Sequence, residues 1–195
     1  YRDNTKFDTV FDRTTAAPLS PIASNGQQNV ITTSWAGFGQ LKWNVSDNFS
    51  LTAGGRYTRD KKSVDVLPSN HRGATTLALG LPYSDTATFK KFTPSVTAEY
   101  KLDDVLLYAK FSRGFKSGGF NYPATRVAGT TNAPVVKPEV LDMYEIGLKG
   151  DLFDRKLRTT LSAYYYDYSD LQVTRAAAAG VSPIVTTENA ANAKL

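Results

Sequence analysis

The 195-residue sequence contains no cysteine and a single histidine, His71. The lack of cysteine excludes disulfides, thiol catalysis and thiolate metal sites, and one histidine cannot build a metal site of several histidines. Long apolar runs are also missing, because the longest, Val105 to Ala109, is far shorter than the about 20 residues of a membrane-spanning helix. The composition, 41% hydrophobic and 21% charged, is nevertheless that of a folded chain and not of a disordered tail.

Aromatic residues are plentiful by contrast, with 11 Tyr, 10 Phe and 2 Trp. From Trp35 onward, apolar and polar residues alternate in six segments, which form three hairpins at about 34–66, 92–115 and 141–175. This period of two predicts antiparallel strands with one apolar and one polar face. Residues 1–33 are dominated by Asp, Asn, Thr, Pro and Gly and are predicted to be mostly loop.

The connections between the strands are of two kinds. Within the hairpins they hold two or three residues and contain Asp, at 46–48, 103–104 and 154–156. Between the hairpins they are long and all emerge at the opposite end of the sheet, at about 67–91, 116–141 and 176–190. Long loops are uncommon in compact domains, but outer-membrane barrels have short periplasmic turns and long extracellular loops. The pattern therefore favours an all-β, antiparallel, up-and-down transmembrane barrel segment.

Large aromatic residues lie at the ends of the apolar strand faces and not in their middle. Three strands carry same-face pairs eight residues apart: Trp35 with Trp43, Phe49 with Tyr57, and Phe92 with Tyr100. On a tilted strand, eight residues rise about 20 Å, close to the apolar band of about 25 Å between the aromatic girdles of a membrane barrel. We predict that these six aromatics lie at the lipid interfaces and that the strands are about 11 residues long.

Several segments resemble one family, the TonB-dependent outer-membrane receptors of the iron-complex type. The resemblance covers about residues 35–195 and is most specific in the run Lys137-Pro-Glu-Val-Leu-Asp-Met-Tyr-Glu-Ile-Gly-Leu-Lys-Gly150. The other similar segments are 49–58, 108–121, 157–173 and 187–194. The resemblance implies a 22-stranded barrel that is filled by an N-terminal plug and lies in the outer membrane of a Gram-negative bacterium.

The resemblance also implies a function. Such receptors import a scarce nutrient, most often a ferric siderophore or similar iron complex, with energy from the TonB complex, which acts through the plug. Neither a plug nor a TonB box is found in the sequence, and no terminal aromatic closes it. Residues 1–195 are therefore expected to be an interior piece, about a quarter, of a receptor barrel embedded in outer-membrane lipid.

Candidate ligand-binding residues lie on the polar face and the long loops. Lys116, Tyr122 and Arg126 lie on or near the second long loop, and Tyr164, Tyr166 and Tyr168 form a tyrosine ladder directed to the barrel interior. Cationic and phenolic groups at an outer mouth suit an anionic or aromatic chelate. The alternative is that the tyrosines only pack against a plug or a loop.

Other kinds of chemistry find little support. No nucleophile and base, metal cluster or phosphate loop is recognisable, so we predict no enzyme and no cofactor. The basic residues, which give a net charge of +5, are spread along the strands, so no nucleic-acid partner is expected. Two alternative functions stay open: a passive outer-membrane channel or adhesin barrel, and a soluble carbohydrate-binding β-sandwich.

Overall fold

The structure, a computed structural model, describes residues 2–11, 24–67, 83–120, 135–154, 156–179 and 182–194. These residues form ten strands: β1 (Arg2–Phe11), β2 (Ser24–Asn44), β3 (Phe49–Leu67), β4 (Tyr83–Leu102), β5 (Val105–Lys116), β6 (Gly119–Phe120), β7 (Val135–Val136), β8 (Glu139–Leu152), β9 (Leu157–Ala179) and β10 (Ser182–Lys194). Over these ranges there is no helix long and apolar enough to cross a membrane.

Eight of the strands form one open sheet in the order β1-β2-β3-β4-β5-β8-β9-β10, and every neighbouring pair is antiparallel. The remaining two, β6 and β7, pair as a small separate ribbon. The predicted all-β, up-and-down architecture is confirmed. The described residues contain no second large sheet to cover a face of the first, as the β-sandwich alternative would need.

The three short turns lie where the sequence predicts them. The last pairs before the turns are Asn44–Ser50, Leu102–Val105 and Leu152–Leu157. In the two-residue turn between β4 and β5, Asp103 has a φ of 49°. Aspartate tolerates this left-handed conformation better than most side chains, which explains its use in so tight a turn.

Away from the turns, the strands run farther than predicted. Strands β2, β3 and β4 are 21, 19 and 20 residues long, in place of the predicted 11. The prediction that residues 1–33 are mostly loop is wrong, because β1 and the first part of β2 lie there. The long loop predicted at 176–190 is also wrong, since β9 ends at Ala179 and β10 begins at Ser182. Similarly, β4 begins at Tyr83, inside the predicted loop 67–91.

The hairpin ends shift steadily across the sheet, and this shift measures the tilt of the strands. A reference row of directly paired residues crosses five strands: Phe49, Tyr100, Leu107, Leu148 and Leu161. In the first hairpin, the last pair before the turn lies one residue from this row, on the side away from the turns. In the second and third hairpins, the last pair lies two and four residues from the row, on the side nearer the turns. Five residues over four strand spacings, at about 3.3 Å and about 4.8 Å respectively, give a tilt of about 40°. Membrane barrels have strands tilted by about 35–45°.

The sheet has an apolar face and a polar face, because directly paired residues point to the same side. A row of the apolar face contains Trp43, Leu51, Ala98, Ala109, Ile146 and Ala163. The next row, on the polar face, contains Lys42, Thr52, Thr97, Lys110, Glu145 and Tyr164. Large side chains of the apolar face stay uncovered, with Ile146 and Leu161 both 63% exposed. The described residues therefore supply nothing that covers this face.

One small cluster of buried residues, the ribbon cluster, lies at the end away from the turns. Val64 of β3, Phe89 of β4 and Val136 of β7 are buried there, and Gly118, which directly precedes the ribbon, lies against the Phe89 ring and the Val136 carbonyl oxygen. A Cβ atom on Gly118 would clash with the Phe89 ring and the Val136 carbonyl oxygen, so only glycine permits this approach. Burial lowers the pKa of the neighbouring Lys62 ammonium, although the Asp60 carboxylate raises it in part.

Candidate functional site

The polar face carries the predicted tyrosine ladder on β9. The ring centroids of Tyr164 and Tyr166 lie 5.0 Å apart, and those of Tyr166 and Tyr168 lie 6.5 Å apart. Alternate residues of a strand share a face, so the three rings form one continuous column on the polar side. Tyr164 is 62% exposed and accessible to a bound molecule. The structure brings these three predicted residues together, and their role in binding stays a prediction.

A fourth tyrosine, Tyr108, widens this surface toward β5. The Tyr108 hydroxyl donates a hydrogen bond of 2.6 Å to Glu145 Oε1, and the Lys149 Nζ atom lies 5.4 Å from the centre of the Tyr108 ring. A Cβ atom on Gly147 would lie 2.7 Å from the Tyr108 ring, so a larger residue at position 147 would clash with the ring. Lys110, Glu145 and Tyr164 are directly paired across β5, β8 and β9. The sequence places these residues on the polar face but does not show their contacts.

The other three predicted ligand residues are only partly described. Lys116 is exposed at the end of β5 and is paired in register with Glu139 of β8. It lies on the polar face, as the ladder does, and beyond the row of Tyr168. Tyr122 and Arg126 lie outside the described residues. The structure thus places Lys116 at the same end of the polar face as the ladder and leaves the other two as predictions.

Two amides hold the β6–β7 region to the far strands. The Asn189 side chain accepts a hydrogen bond of 2.8 Å from the Lys137 backbone N–H and donates one of 3.0 Å to the Lys137 carbonyl oxygen. The Gln172 amide donates to the carbonyl oxygens of Lys137, at 2.8 Å, and Ser117, at 3.2 Å. This amide clasp was not predicted, because the residues are distant in sequence and carry no motif.

On the apolar face, aromatic residues form an aromatic edge at the end away from the turns. Tyr57 and Phe92 are directly paired, and the Trp35 ring lies 5.6 Å from that of Tyr57. Across β5, β8 and β9, the edge continues through three rings with successive centroids 5.2 and 6.3 Å apart: Phe111, Tyr144 and Tyr165. Near the turns, Phe49 and Tyr100 are directly paired, and Trp43 lies on the same face. The predicted same-face pairs therefore exist, and their contact with lipid stays a prediction.

The aromatic edge follows the tilt of the strands and is succeeded by charge. On β3, the edge residue Tyr57 is eight residues from Phe49 of the reference row. On β5, the edge residue Phe111 is only four residues from Leu107 of the same row. Two residues beyond the aromatic on each of five strands, the apolar face carries a charged residue. These residues form the charged step: Arg59, Lys90, Arg113, Asp142 and Asp167. The apolar band therefore has a sharp polar boundary.

Ion pairs join strands on both faces of the sheet. One of them, Lys42–Glu99, reaches from β2 across β3 to β4, whereas the other two join directly neighbouring strands. On the polar face near the turns, Lys42 Nζ lies 2.7 Å from Glu99 Oε2, and Arg158 Nε lies 2.8 Å from Asp151 Oδ1. In the charged step, the Arg113 guanidinium binds both carboxylate oxygens of Asp142 at 2.6 Å. Bidentate pairs of this kind fix two side chains in a defined geometry. The described residues hold no group of three potential His, Cys, Asp or Glu metal ligands.

Comparison with known families supplies the identity of this sheet. The family model of the TonB dependent receptor-like β-barrel matches residues 1–195, the whole chain. The chain belongs to this family. The family resemblance predicted from the sequence is confirmed, and its members are transport receptors and not enzymes. TonB-dependent receptors related to this chain are outer-membrane proteins of Gram-negative bacteria.

The curated relatives include pesticin receptors. The pesticin receptors of Yersinia enterocolitica serotype O:8 and of Yersinia pestis are each 28% identical over 178 residues, which are 89% of this chain and 24% of the relative. This chain therefore spans about a quarter of the length of these relatives. The match extends over nearly the whole chain, which fits the prediction that all of it belongs to one barrel domain.

Solved structures show the same fold. The ferric yersiniabactin uptake receptor FyuA from Yersinia pestis superposes with a TM-score of 0.64 at 22% identity, over 89% of this chain and 25% of that one. The copper transporter OprC gives a TM-score of 0.58 at 19% identity, over 89% of this chain and 31% of that one. Both are receptor barrels of the family, so the open sheet corresponds to part of a closed barrel.

Proposed function

We propose that the chain is part of the barrel of an outer-membrane receptor that imports a ferric siderophore or a similar iron complex with energy from the TonB complex. The observation that carries this proposal is the family match along residues 1–195. The similar structure that is an uptake receptor for ferric yersiniabactin supports an iron-complex ligand. In this proposal the apolar face contacts lipid, the polar face lines the interior, and the partners are lipid, the TonB complex and the iron complex.

The open edges of the sheet support the view that it works within a larger barrel. Among the residues that the structure describes, strands β1 and β10 are paired on one side only. Within lipid, unpaired backbone N–H and C=O groups cost several kcal/mol each, so membrane-spanning sheets close into barrels. Function therefore has to be tested in the full-length receptor and not in the 195-residue segment.

Uptake of radioactive iron by whole cells tests the proposal. A strain that lacks the full-length gene should lose uptake from ferric siderophores, and the full-length gene should restore it. An uncoupler of the proton gradient should abolish the restored uptake, because transport through a TonB-dependent receptor needs that energy. Uptake that continues at the same rate after uncoupling would favour the alternative, a passive channel.

The tyrosine ladder can be tested with a control on the same strand. In the full-length receptor, Tyr164→Ala and Tyr166→Ala should each raise the Kd for the ferric siderophore about two- to tenfold, since an aromatic contact contributes about 0.5–1.5 kcal/mol. Tyr165→Ala, on the apolar face between them, should leave the Kd unchanged. Equal effects of the three variants would remove the ladder from the binding site.

The cationic candidates need a separate test. The double variant Lys116→Ala, Arg126→Ala should weaken the binding of an anionic chelate. The control is Lys156→Ala, an exposed lysine in a short turn at the opposite end of the sheet. Unchanged affinity of the double variant would remove both residues from the list of ligand contacts.

A further inference from the structure

The charged step contains the carboxylates Asp142 and Asp167 on β8 and β9, whereas on β3 and β4 it contains cations only. On β5 and β8, its two members, Arg113 and Asp142, form a bidentate ion pair at 2.6 Å. On β3 and β4, the two members are both cations, Arg59 and Lys90, and they are directly opposite each other in the register. Directly opposed like charges destabilise a sheet unless an anion lies between them.

No carboxylate of the described residues balances these two cations. Lys61 adds a third positive charge one row farther along the same strand edge, and both lysines are exposed. The neighbouring Asp60 lies on the polar face and is buried. On the apolar side of the described parts of β2, β3 and β4, the nearest carboxylate is that of Asp65, six residues along β3 from Arg59. The loop sequence 68–82 contains no acidic residue.

The surface directly below the cations is apolar and shallow. Tyr57 and Phe92 lie immediately below them, and the Phe92 ring covers Gly55. On β2, a Cβ atom placed on Gly37 or on Gly39 would meet no atom within 4 Å, so the surface there is open. An aromatic edge with small residues below it leaves room for hydrocarbon chains beside the rings. A cation pair above an open apolar strip is complementary to a lipid that has an anionic head and hydrocarbon chains.

We propose that Arg59 and Lys90 bind the phosphate of a phosphorylated lipid of the outer leaflet, whose acyl chains lie along the strip at Gly37 and Gly39. Arg and Lys are the side chains that bind phosphate best, Arg through two parallel N–H donors and Lys as a point charge. The site is on the apolar face, separate from the tyrosine ladder. It rests on the proposed membrane placement but not on the identity of the imported ligand.

The test measures binding of lipid A, a phosphorylated glycolipid, to the full-length detergent-solubilised receptor by native mass spectrometry. The double variant Arg59→Ala, Lys90→Ala should raise the Kd about 25-fold, since each cation near an anionic lipid surface contributes a factor of about five. The charge-matched control Arg56→Ala, Lys91→Ala changes the polar face of the same strands and should leave the Kd unchanged. The conservative variant Arg59→Lys, Lys90→Arg should retain most of the affinity.

Further arms separate the lipid from other anions. Dephosphorylated lipid A should bind the unaltered receptor as weakly as lipid A binds the double variant, and an excess of inorganic phosphate should not displace lipid A. If the double variant does not fold, the single variant Lys90→Gln should still raise the Kd about fivefold. Equal affinities of the altered and unaltered receptors, or easy displacement by inorganic phosphate, would overturn the proposal. Neither result bears on iron uptake.

Discussion

The turn end of the sheet and the ribbon cluster are built on different principles. Between the turns and the aromatic edge, no other described part of the chain covers the apolar face. Its side chains are exposed there, and Leu161, for example, is 63% exposed. In the ribbon cluster, Val64 is fully buried and Phe89 is 8% exposed, as in the core of a soluble protein. Apolar side chains of the same sheet are thus exposed between the turns and the aromatic edge and buried in the ribbon cluster.

This difference also explains the distribution of apolar side chains. A soluble sheet hides its apolar face against a second layer, whereas a membrane sheet exposes it to hydrocarbon. Beyond the aromatic edge, the charged step ends the apolar band. The strands continue past this step, and there their apolar side chains have to be buried within the protein itself. The buried residues Val64, Phe89 and Val136 form a core there, on the polar side of β3 and β4.

The largest expected effect compares two phenylalanines of β4. Phe89→Ala removes a buried ring from the ribbon cluster and should lower the unfolding free energy of this region by about 3 kcal/mol. Phe92→Ala, at the aromatic edge, is 56% exposed in the sheet and should have a much smaller effect. Hydrogen exchange of the β6 and β7 backbone in the full-length receptor measures both. Similar acceleration of exchange by the two variants would break the distinction between the regions.

The next prediction concerns a charge placed in the apolar band. Leu161→Arg should destabilise the full-length barrel in lipid vesicles by about 2–4 kcal/mol, because an arginine near the bilayer centre on the lipid side is costly. Thr160→Arg, the neighbour on the polar face, should change the unfolding free energy by about 0.5 kcal/mol or less. Urea titration of both variants gives the comparison. If Thr160→Arg is the more destabilising variant, the assignment of the faces is wrong.

The smallest expected effect concerns the amide clasp. Asn189→Ala removes two hydrogen bonds to the Lys137 backbone and should weaken the attachment of the ribbon by about 1–2 kcal/mol. Hydrogen exchange at residues 135–137 should accelerate about tenfold, since 1.4 kcal/mol corresponds to a factor of ten. The control is Gln40→Ala, an exposed amide of β2. Unchanged exchange in Asn189→Ala would show that packing alone holds the ribbon.

The sequence predicts the strands correctly where one face of the strand is apolar and the other is polar. From Trp35 to Asn44 and from Phe49 to Tyr57, apolar and polar residues alternate with the exceptions of Ala36 and Phe38, and the strands lie there. Beyond the aromatic edge this contrast fades. Strand β1 and the segment Ala176–Ala179 show no alternation, which explains why they were predicted as loop.

The candidate site is predictable to a smaller extent. The ladder of Tyr164, Tyr166 and Tyr168 follows from strand period alone, because alternate residues share a face. The Tyr108–Glu145 hydrogen bond and the Arg59–Lys90 pair depend on the register between strands. Pairing register links residues that are 31 to 37 positions apart, and one sequence carries no direct signal for it.

The most direct test of the account uses the absence of cysteine, because every introduced cysteine is then the only one in the segment. Nitroxide labels are attached in turn at residues 51, 52, 53, 96 and 97 of the full-length receptor in lipid vesicles, with residue 61 as a reference beyond the band. Collisions with oxygen, which concentrates in lipid, and with a water-soluble nickel chelate are measured by electron paramagnetic resonance. We expect oxygen to dominate at residues 51, 53 and 96, and the chelate to dominate at 52, 97 and 61. Equal access on the two faces, or the reverse alternation, would contradict the central claim that the apolar face contacts lipid.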